Sequence, residues 1–146
     1  MNLEKREEGR NYALRLIGYR ERSMREVEIR MEKRGYGPQL IKEILEELKS
    51  CDLINDKRFA RTWTESRIKR GYGREKIILE LREKGIEEKV IKELLRDIYS
   101  EVDERRVAEE IIRRKKIPLQ EKGKLCRFLT RRGFTFETVN EICLSR

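Results

Sequence analysis

The residues of this chain best suited to chemistry are lysines and arginines, which concentrate in two stretches. Residues 60–84 carry eight Lys or Arg against four Glu, and residues 104–133 carry eleven against four. Cationic groups at this density contact phosphates, and an aromatic ring beside them offers a surface for base stacking. The sequence therefore predicts a contact with nucleic acid or an acidic protein, with solubility alone as the alternative. The candidate residues are Arg67, Lys69, Arg70, Tyr72, Arg74, Arg113, Arg114, Lys115, Lys116, Lys124, Arg131 and Arg132.

Residue types that many catalytic sites require are missing or scattered. The chain contains no histidine, which excludes a His-based triad, a His-ligated zinc site and a His pH sensor within it. Cys51, Cys126 and Cys143 form no Cys-x-x-Cys pair, so we expect no thiolate metal site and interpret them as small apolar residues in a reducing compartment. The four aspartates have no metal-binding spacing. We therefore expect a non-enzymatic protein without a cofactor.

Two Gly-Tyr-Gly motifs, at residues 35–37 and 71–73, have some similarity to phosphate-binding loops. A dinucleotide fingerprint or a P-loop needs further glycine spacing and a preceding strand, and the sequence provides neither. Because glycine readily adopts the left-handed conformation, turns between helices are the better interpretation.

The overall composition indicates a folded but highly charged protein. Charged residues make up 45% of the 146 residues, and 37 Lys and Arg against 28 Asp and Glu give a net charge of +9. A field of this sign favours nucleic acid, anionic lipid or an acidic protein surface as partner. The N-terminal residues lack an apolar signal segment, and no apolar run approaches the roughly 20 residues that span a bilayer. We expect a cytoplasmic monomer that does not contact membranes.

One pattern of apolar residues and glycine recurs about every 48 residues. Gly35, Gly85 and Gly133 each follow cationic residues, and apolar residues recur eight and four positions before each glycine and six and ten positions after it. Because chance rarely aligns so many apolar positions, the pattern predicts a tandem array of three repeats. The predicted repeats span residues 1–50, 51–100 and 101–146.

Each repeat is predicted to form three short helices, and the whole an elongated all-α array of about nine. The middle helix of each repeat has apolar residues at i, i+4 spacing and ends at the recurring glycine. The starts of three helices are marked by a capping box at residues 23–26, by Pro38 in a first turn and by Asp56 as an N-cap. Strands are not expected, because β-branched alternation is absent. The predicted helices cover about residues 4–20, 24–34, 38–49, 57–69, 74–84, 87–99, 102–115, 119–132 and 136–144.

Four side chains near the start of the second repeat are expected to be buried. Phe59 and Trp63 are four residues apart, and this spacing places them on one helix face directed towards the core. Leu53 and Ile54, in the linker before that helix, are also expected to pack.

The most distinctive sequence motifs lie in the first two repeats. They are LINDKRFARTW at 53–63, Arg67, GYG at 71–73 and LREKGI at 81–86 in the second repeat, and SMREV at 23–27 and MEKRG at 31–35 in the first. In order and spacing these motifs resemble the RecX family of bacterial recombination regulators, over about residues 10–145. The third repeat matches more loosely, with Gly133-Phe134 in place of the Gly-Ile of the second.

The resemblance implies a regulator of the RecA recombinase that is not itself an enzyme. RecX-like proteins consist of tandem three-helix units and bind along the groove of the filament that RecA forms on single-stranded DNA. They depress its ATP hydrolysis and strand exchange, and so act in recombination, DNA repair and the SOS response. The partners implied for this chain are the RecA filament and the single-stranded DNA within it.

Three other functions stay open from the sequence. Three-helix units resemble helix-turn-helix domains, so a free-standing nucleic-acid-binding module is one alternative, although no helix carries Asn, Gln and Arg at base-reading spacing. A nuclease or phosphotransferase using Glu and Mg²⁺ is another, without the carboxylate spacing it needs. A helical adaptor for some other acidic partner fits the repeats as well. The sequence does not decide which basic residues contact DNA and which contact protein.

Overall fold

The computed structural model describes residues 3–144, and within this range the chain forms nine α-helices and no strand. The predicted all-α fold is confirmed, and most helix ends agree to within one or two residues. None of the described helices has the length and apolar character needed to cross a bilayer. The helices are α1 (Leu3–Tyr19), α2 (Met24–Lys33), α3 (Pro38–Ser50), α4 (Asp56–Lys69), α5 (Arg74–Glu83), α6 (Glu88–Ile98), α7 (Glu104–Lys115), α8 (Lys122–Arg131) and α9 (Phe136–Leu144).

The chain divides into two compact units, and the boundary falls inside α4. The first unit extends to Thr62 and includes Lys84–Ile86. In it α1, α2 and α3 pack against one another around a core centred on Val27, Met31 and Ile44, which are all fully buried. Each helix contributes one apolar stripe to this core, as the i, i+4 pattern predicts.

The second unit consists of Trp63–Glu83 and the chain from Glu87 onward. In it α5 packs on α6, and α9 packs on both α7 and α8. Its C-terminal core contains Ile111, Leu125 and Leu129, each at most 2% exposed. The three-repeat boundaries stay a prediction beside these two units.

Several predicted helix ends are confirmed in detail. The Ser23 hydroxyl accepts the Glu26 N–H at 3.2 Å while the Glu26 carboxylate accepts the Ser23 N–H at 3.1 Å, which completes the capping box. Pro38 occupies the first turn of α3. The recurring glycines, Gly35, Gly85 and Gly133, have φ of 93°, 79° and 87°, the left-handed region in which other residues are strained.

The N-cap of α4 is Asn55, and the prediction of Asp56 was wrong. The Asn55 side chain accepts the Arg58 N–H at 3.0 Å. Asp56 is the first helical residue, and its carboxylate instead accepts the N–H of Met24 at 2.9 Å. Asp56 therefore satisfies a free donor at the start of α2, a role that its own local sequence does not indicate.

Two burial predictions and one helix start also differ from the structure. Ile54 and Phe59 are buried, but Leu53 is 47% exposed and Trp63 is only partly buried. The Trp63 indole N–H donates to the Glu80 carboxylate. Helix α8 begins at Lys122 rather than 119, because the segment after α7 forms a turn.

A basic surface around Tyr72 as a candidate nucleic-acid interface

Tyr72 lies in the turn between α4 and α5. Gly71, with φ of 81°, ends α4, and a Cβ at this position would lie 2.6 Å from the side chain of Ile111 on α7. The Gly-Tyr-Gly motif at residues 71–73 is thus a turn between helices, as predicted, and only glycine fits at its first position. Because α4 ends at this turn, Arg67 lies before it on α4 and Arg74 follows it as the first residue of α5.

Three cationic side chains lie over the Tyr72 ring. The guanidinium carbons of Arg132 and Arg67 are 4.1 and 4.8 Å from the ring centroid, and the Lys76 ammonium nitrogen is 5.4 Å from it. A cation–π contact of this kind contributes about 0.5–1 kcal/mol at an exposed site and more when water is excluded. The ring therefore gathers cations from α4, from α5 and from the residue after α8. A base stacking on Tyr72 would compete with these cations.

Two arginines from later in the chain close the C-terminal end of α4. The Arg132 guanidinium donates to the Gly71 carbonyl at 2.9 Å and to the Arg70 carbonyl at 2.5 Å. Arg114, on α7, donates to the Lys69 carbonyl at 3.0 Å. Because the last carbonyls of a helix have no partner within it, these bonds satisfy acceptors that only solvent would otherwise reach.

Arg67 is committed to a contact within the protein. Its Nε and one terminal nitrogen donate to the two carboxylate oxygens of Glu80 at 2.9 and 2.6 Å, and the two side chains are 19% and 16% exposed. The Trp63 indole donates to the same carboxylate at 3.1 Å, and the Arg67 guanidinium lies 4.7 Å from the Trp63 ring centroid. Glu80 neutralises Arg67, so this arginine positions Tyr72 and contributes little free positive charge.

Arg74 is directed away from this group. Its guanidinium carbon lies 5.0 Å from the Tyr99 ring centroid, and its backbone N–H donates to the Glu104 carboxylate at 2.7 Å. Burial, and then the charge of Glu104, raise the pKa of Tyr99 far above its usual range, so this phenol stays neutral.

Four cations next to the α4–α5 turn, or next to the arginines that close it, are exposed. They are Lys69, Arg70, Lys115 and Arg131. Among residues 3–144, none of their side chains forms an ion pair with a carboxylate. These four are therefore the groups best able to bind phosphate oxygens without first breaking an internal contact.

The remaining predicted residues are not brought to Tyr72 by any contact within the described range. Arg113 pairs with Glu110, and the Lys124 ammonium is 3.9 Å from the Glu121 carboxylate. Lys116 follows α7 in the left-handed conformation, with φ of 54°. Whether any of them binds DNA stays a prediction.

Sequence reasoning missed Lys76, Trp63 and Glu80 as parts of this surface. The i, i+4 spacing of Trp63 and Arg67 on α4 was a usable signal for their contact. Nothing in the local sequence points to Glu80 as their shared acceptor. No group of three or more potential metal-ligating side chains occurs within the described part of the chain.

Comparisons with known proteins agree on one family. The description "RecX, first three-helix domain" matches residues 10–48, and "RecX, second three-helix domain" matches residues 55–95. The "Regulatory protein RecX" of Halorhodospira halophila is 36% identical over 135 residues, which cover 89% of this chain and 83% of the relative. That of Caldanaerobacter subterraneus subsp. tengcongensis is 27% identical over 97% of this chain and 72% of its own. The crystal structure of RecX from Lactobacillus salivarius has a TM-score of 0.79 at 24% identity, covers 99% of this chain and 97% of its own, and supports the fold.

Proposed function

This chain belongs to the RecX family, and we propose that it binds the filament of RecA on single-stranded DNA and inhibits its ATP hydrolysis and strand exchange. Its relatives carry the name of regulatory proteins, which supports a role in control rather than in catalysis. The observation that carries the proposal is the set of exposed cations at Lys69, Arg70, Lys115 and Arg131. We place this action in the cytoplasm, in recombination, DNA repair and the SOS response.

The proposed contact combines a fixed platform with free charges. Arg132 and Arg114 hold the end of α4, and Arg67 is held by Glu80, so the exposed cations beside them project from an ordered backbone. Less conformational entropy is then lost when a phosphate binds, which favours contact with a filament of fixed geometry over free, flexible DNA. Each phosphate neutralised on a single strand steepens the slope of log affinity against log salt concentration by about 0.7.

We also propose that this protein acts by binding alone, as a monomer and without a cofactor. Inhibition then requires occupancy of the filament, and the degree of inhibition must follow the fraction of filament bound. Turnover of ATP or cleavage of DNA by the chain itself would contradict this part of the proposal.

The test compares two triple charge reversals of equal net charge. The first, Lys69→Glu/Arg70→Glu/Arg131→Glu, removes exposed cations of the candidate surface. The control, Lys89→Glu/Lys92→Glu/Arg96→Glu, reverses three exposed cations on α6, which contributes none of the residues around Tyr72. Each variant is co-sedimented at physiological salt with preformed recombinase filaments and with naked single-stranded DNA, while the recombinase ATPase rate is followed.

We expect the first variant to bind the filament at least tenfold more weakly and to stop inhibiting the recombinase ATPase. The slope of its log affinity against log salt concentration should be shallower by about 2. The control should bind and inhibit like the wild type. Full inhibition by the first variant would refute the basic surface. Equal binding of the wild type to filament and naked DNA, with an unchanged ATPase rate, would instead favour the free-standing nucleic-acid-binding module.

A further inference from the structure

Two of the three cysteines meet between the last two helices. The Sγ of Cys126, on α8, lies 2.7 Å from the Sγ of Cys143, on α9, and both thiols are free. The residues are 17 positions apart and form no recognised motif, so the sequence predicted only that they are small apolar side chains. Their contact is the closest approach of two redox-active groups within residues 3–144.

We propose that Cys126 and Cys143 are an oxidation site, at which a peroxide converts the two thiols into a disulfide that links α8 to α9. A disulfide has an S–S distance of 2.03–2.05 Å, so the sulfurs need to approach by only about 0.7 Å. The helices that carry them already pack on each other, with Leu125 and Ile142, the chain neighbours of the two cysteines, both buried. The two sulfurs therefore lie within reach of a bond while the helices that carry them are packed together.

A small oxidant has access to the pair. Cys126 is partly buried, whereas Cys143 is only 4% exposed. A cavity of about 370 Å³ is lined by Cys143 together with apolar residues such as Ile112 and Leu125. Its lining also includes Lys122, whose charge favours a thiolate at Cys143. Hydrogen peroxide is small enough to reach Cys126 from solvent and Cys143 through this cavity.

The chemistry proceeds in two steps. The thiolate of Cys126, the more exposed residue, attacks a peroxide oxygen. The S–O bond forms, the O–O bond breaks, and the hydroxide released takes up the proton that the Cys126 thiol lost, so that a sulfenic acid and one water result. The Cys143 thiol then loses its proton to solvent and the resulting thiolate attacks the Cys126 sulfur. The S–S bond forms, the S–O bond breaks, and the hydroxide that leaves takes up that proton to give a second water. Two thiols and one peroxide thus yield one disulfide and two waters.

The second step is expected to be slow at neutral pH. Burial, and then the hydrogen bond with Cys126, raise the pKa of Cys143 to about 11. Since only the thiolate attacks, the rate of disulfide formation should rise about tenfold per pH unit below that value when this step is limiting. The pair would therefore respond to sustained rather than brief oxidation.

The bond would stabilise the C-terminal part of the second unit. It closes a loop from Cys126 to Cys143, which contains Arg131 and Arg132. Loops of about this length restrict the unfolded chain enough to raise the melting temperature by roughly 6–12 °C in a protein of this size.

The experiment uses full-length Cys51→Ala, which leaves only the proposed pair. The protein is treated with hydrogen peroxide at pH 7 and pH 9, quenched, denatured and labelled with iodoacetamide, and then examined by peptide mass spectrometry and thermal unfolding. We expect a protein lighter by two hydrogens, with Cys126 and Cys143 in one cross-linked peptide and faster formation at pH 9. Dithiothreitol should reverse both the cross-link and the rise in melting temperature.

Two matched variants complete the test. They combine Cys51→Ala with either Cys126→Ala or Cys143→Ala. After peroxide treatment, the single remaining thiol should be either unchanged or oxidised to a sulfenic or higher acid, and the melting temperature should not rise. Two fully labelled thiols in oxidised Cys51→Ala would overturn the proposal. Cross-links only between molecules would overturn it as well.

Discussion

A Cβ at Gly73 would lie 2.3 Å from the carbonyl carbon of Gly133, so two turns of the second unit touch through their backbones. The Gly73 N–H donates to the Arg132 carbonyl at 2.8 Å, and the Glu75 N–H donates to the Gly133 carbonyl at 2.9 Å. This contact holds Arg132 beside Tyr72. A side chain at position 73 has no space that it could occupy without separating the two turns.

Gly73→Ala should therefore destabilise the protein by about 1–3 kcal/mol, since the added methyl group forces the backbones apart. Gly37→Ala is the matched control from the other Gly-Tyr-Gly motif, because nothing lies within 4 Å of a Cβ there. Urea unfolding followed by far-UV circular dichroism measures both variants. The control should stay within about 0.5 kcal/mol of the wild type. Equal effects at the two positions would show that the close contact does not limit position 73.

Arg131 and Arg132 are neighbours in sequence with different expected roles. Arg132→Ala removes two carbonyl hydrogen bonds and the stack on Tyr72, and should cost about 1–3 kcal/mol in the free energy of unfolding. Arg131→Ala removes an exposed charge and should change that free energy by less than about 0.5 kcal/mol. Urea titrations give the stabilities and filament co-sedimentation gives the affinities. An Arg131→Ala variant as unstable as Arg132→Ala would contradict this division.

A double-mutant cycle should show strong coupling between Arg67 and Glu80. The bidentate pair is largely shielded from water, so we expect a coupling energy of about 1–2 kcal/mol. Arg113 and Glu110 form the control pair, whose side chains are 73% and 47% exposed and whose coupling should stay below about 0.5 kcal/mol. The Trp63 fluorescence should change in the Glu80→Ala variant but not in the Glu110→Ala variant. Similar coupling for both pairs would refute the shielding argument.

Stability should fall on acidification partly through Glu26. Burial raises the pKa of this carboxyl, but the hydrogen bonds from Arg20, the Ser23 N–H and Lys84 outweigh burial and leave the pKa below its usual 4.5. A pKa depressed by folding adds stability above the unfolded value, and this contribution is lost as the pH falls through the folded value.

We therefore expect Glu26→Gln to be less stable than the wild type near pH 7 and to show a smaller loss between pH 5 and 3. Glu46→Gln, at an exposed position of α3, is the control and should follow the wild-type profile. Thermal unfolding across this pH range decides the matter. Parallel profiles for wild type and Glu26→Gln would exclude the proposed contribution.

Sequence reasoning succeeded where the signals were local. The Ser23–Glu26 capping box, Pro38 at the start of α3 and the left-handed Gly85 each depend on residues within one helix turn of the feature. The apolar spacing gave the helices for the same reason, since the periodicity of a buried face is written into consecutive residues.

It failed where a group finds its partner far along the chain. Asp56 caps α2 from 32 positions away, and Arg132 reaches the Gly71 carbonyl across 61 positions. The basic stretches correctly indicated where cations are dense, but only tertiary contacts separate Arg67, which Glu80 neutralises, from Arg70, which is exposed. Spacing alone does not encode which charges are already paired.

The closure of α4 by Arg132 also bears on how the protein is completed during synthesis. The first unit contains no residue beyond Ile86, whereas the last carbonyls of α4 receive their donors only after Arg132 has been synthesised. At about 5–20 residues per second, the 46 residues from Ile86 to Arg132 take roughly 2–9 s to translate. Nascent chains therefore carry a finished first unit and an unfinished basic surface during that interval, and a prematurely terminated chain would not display the surface in its native form.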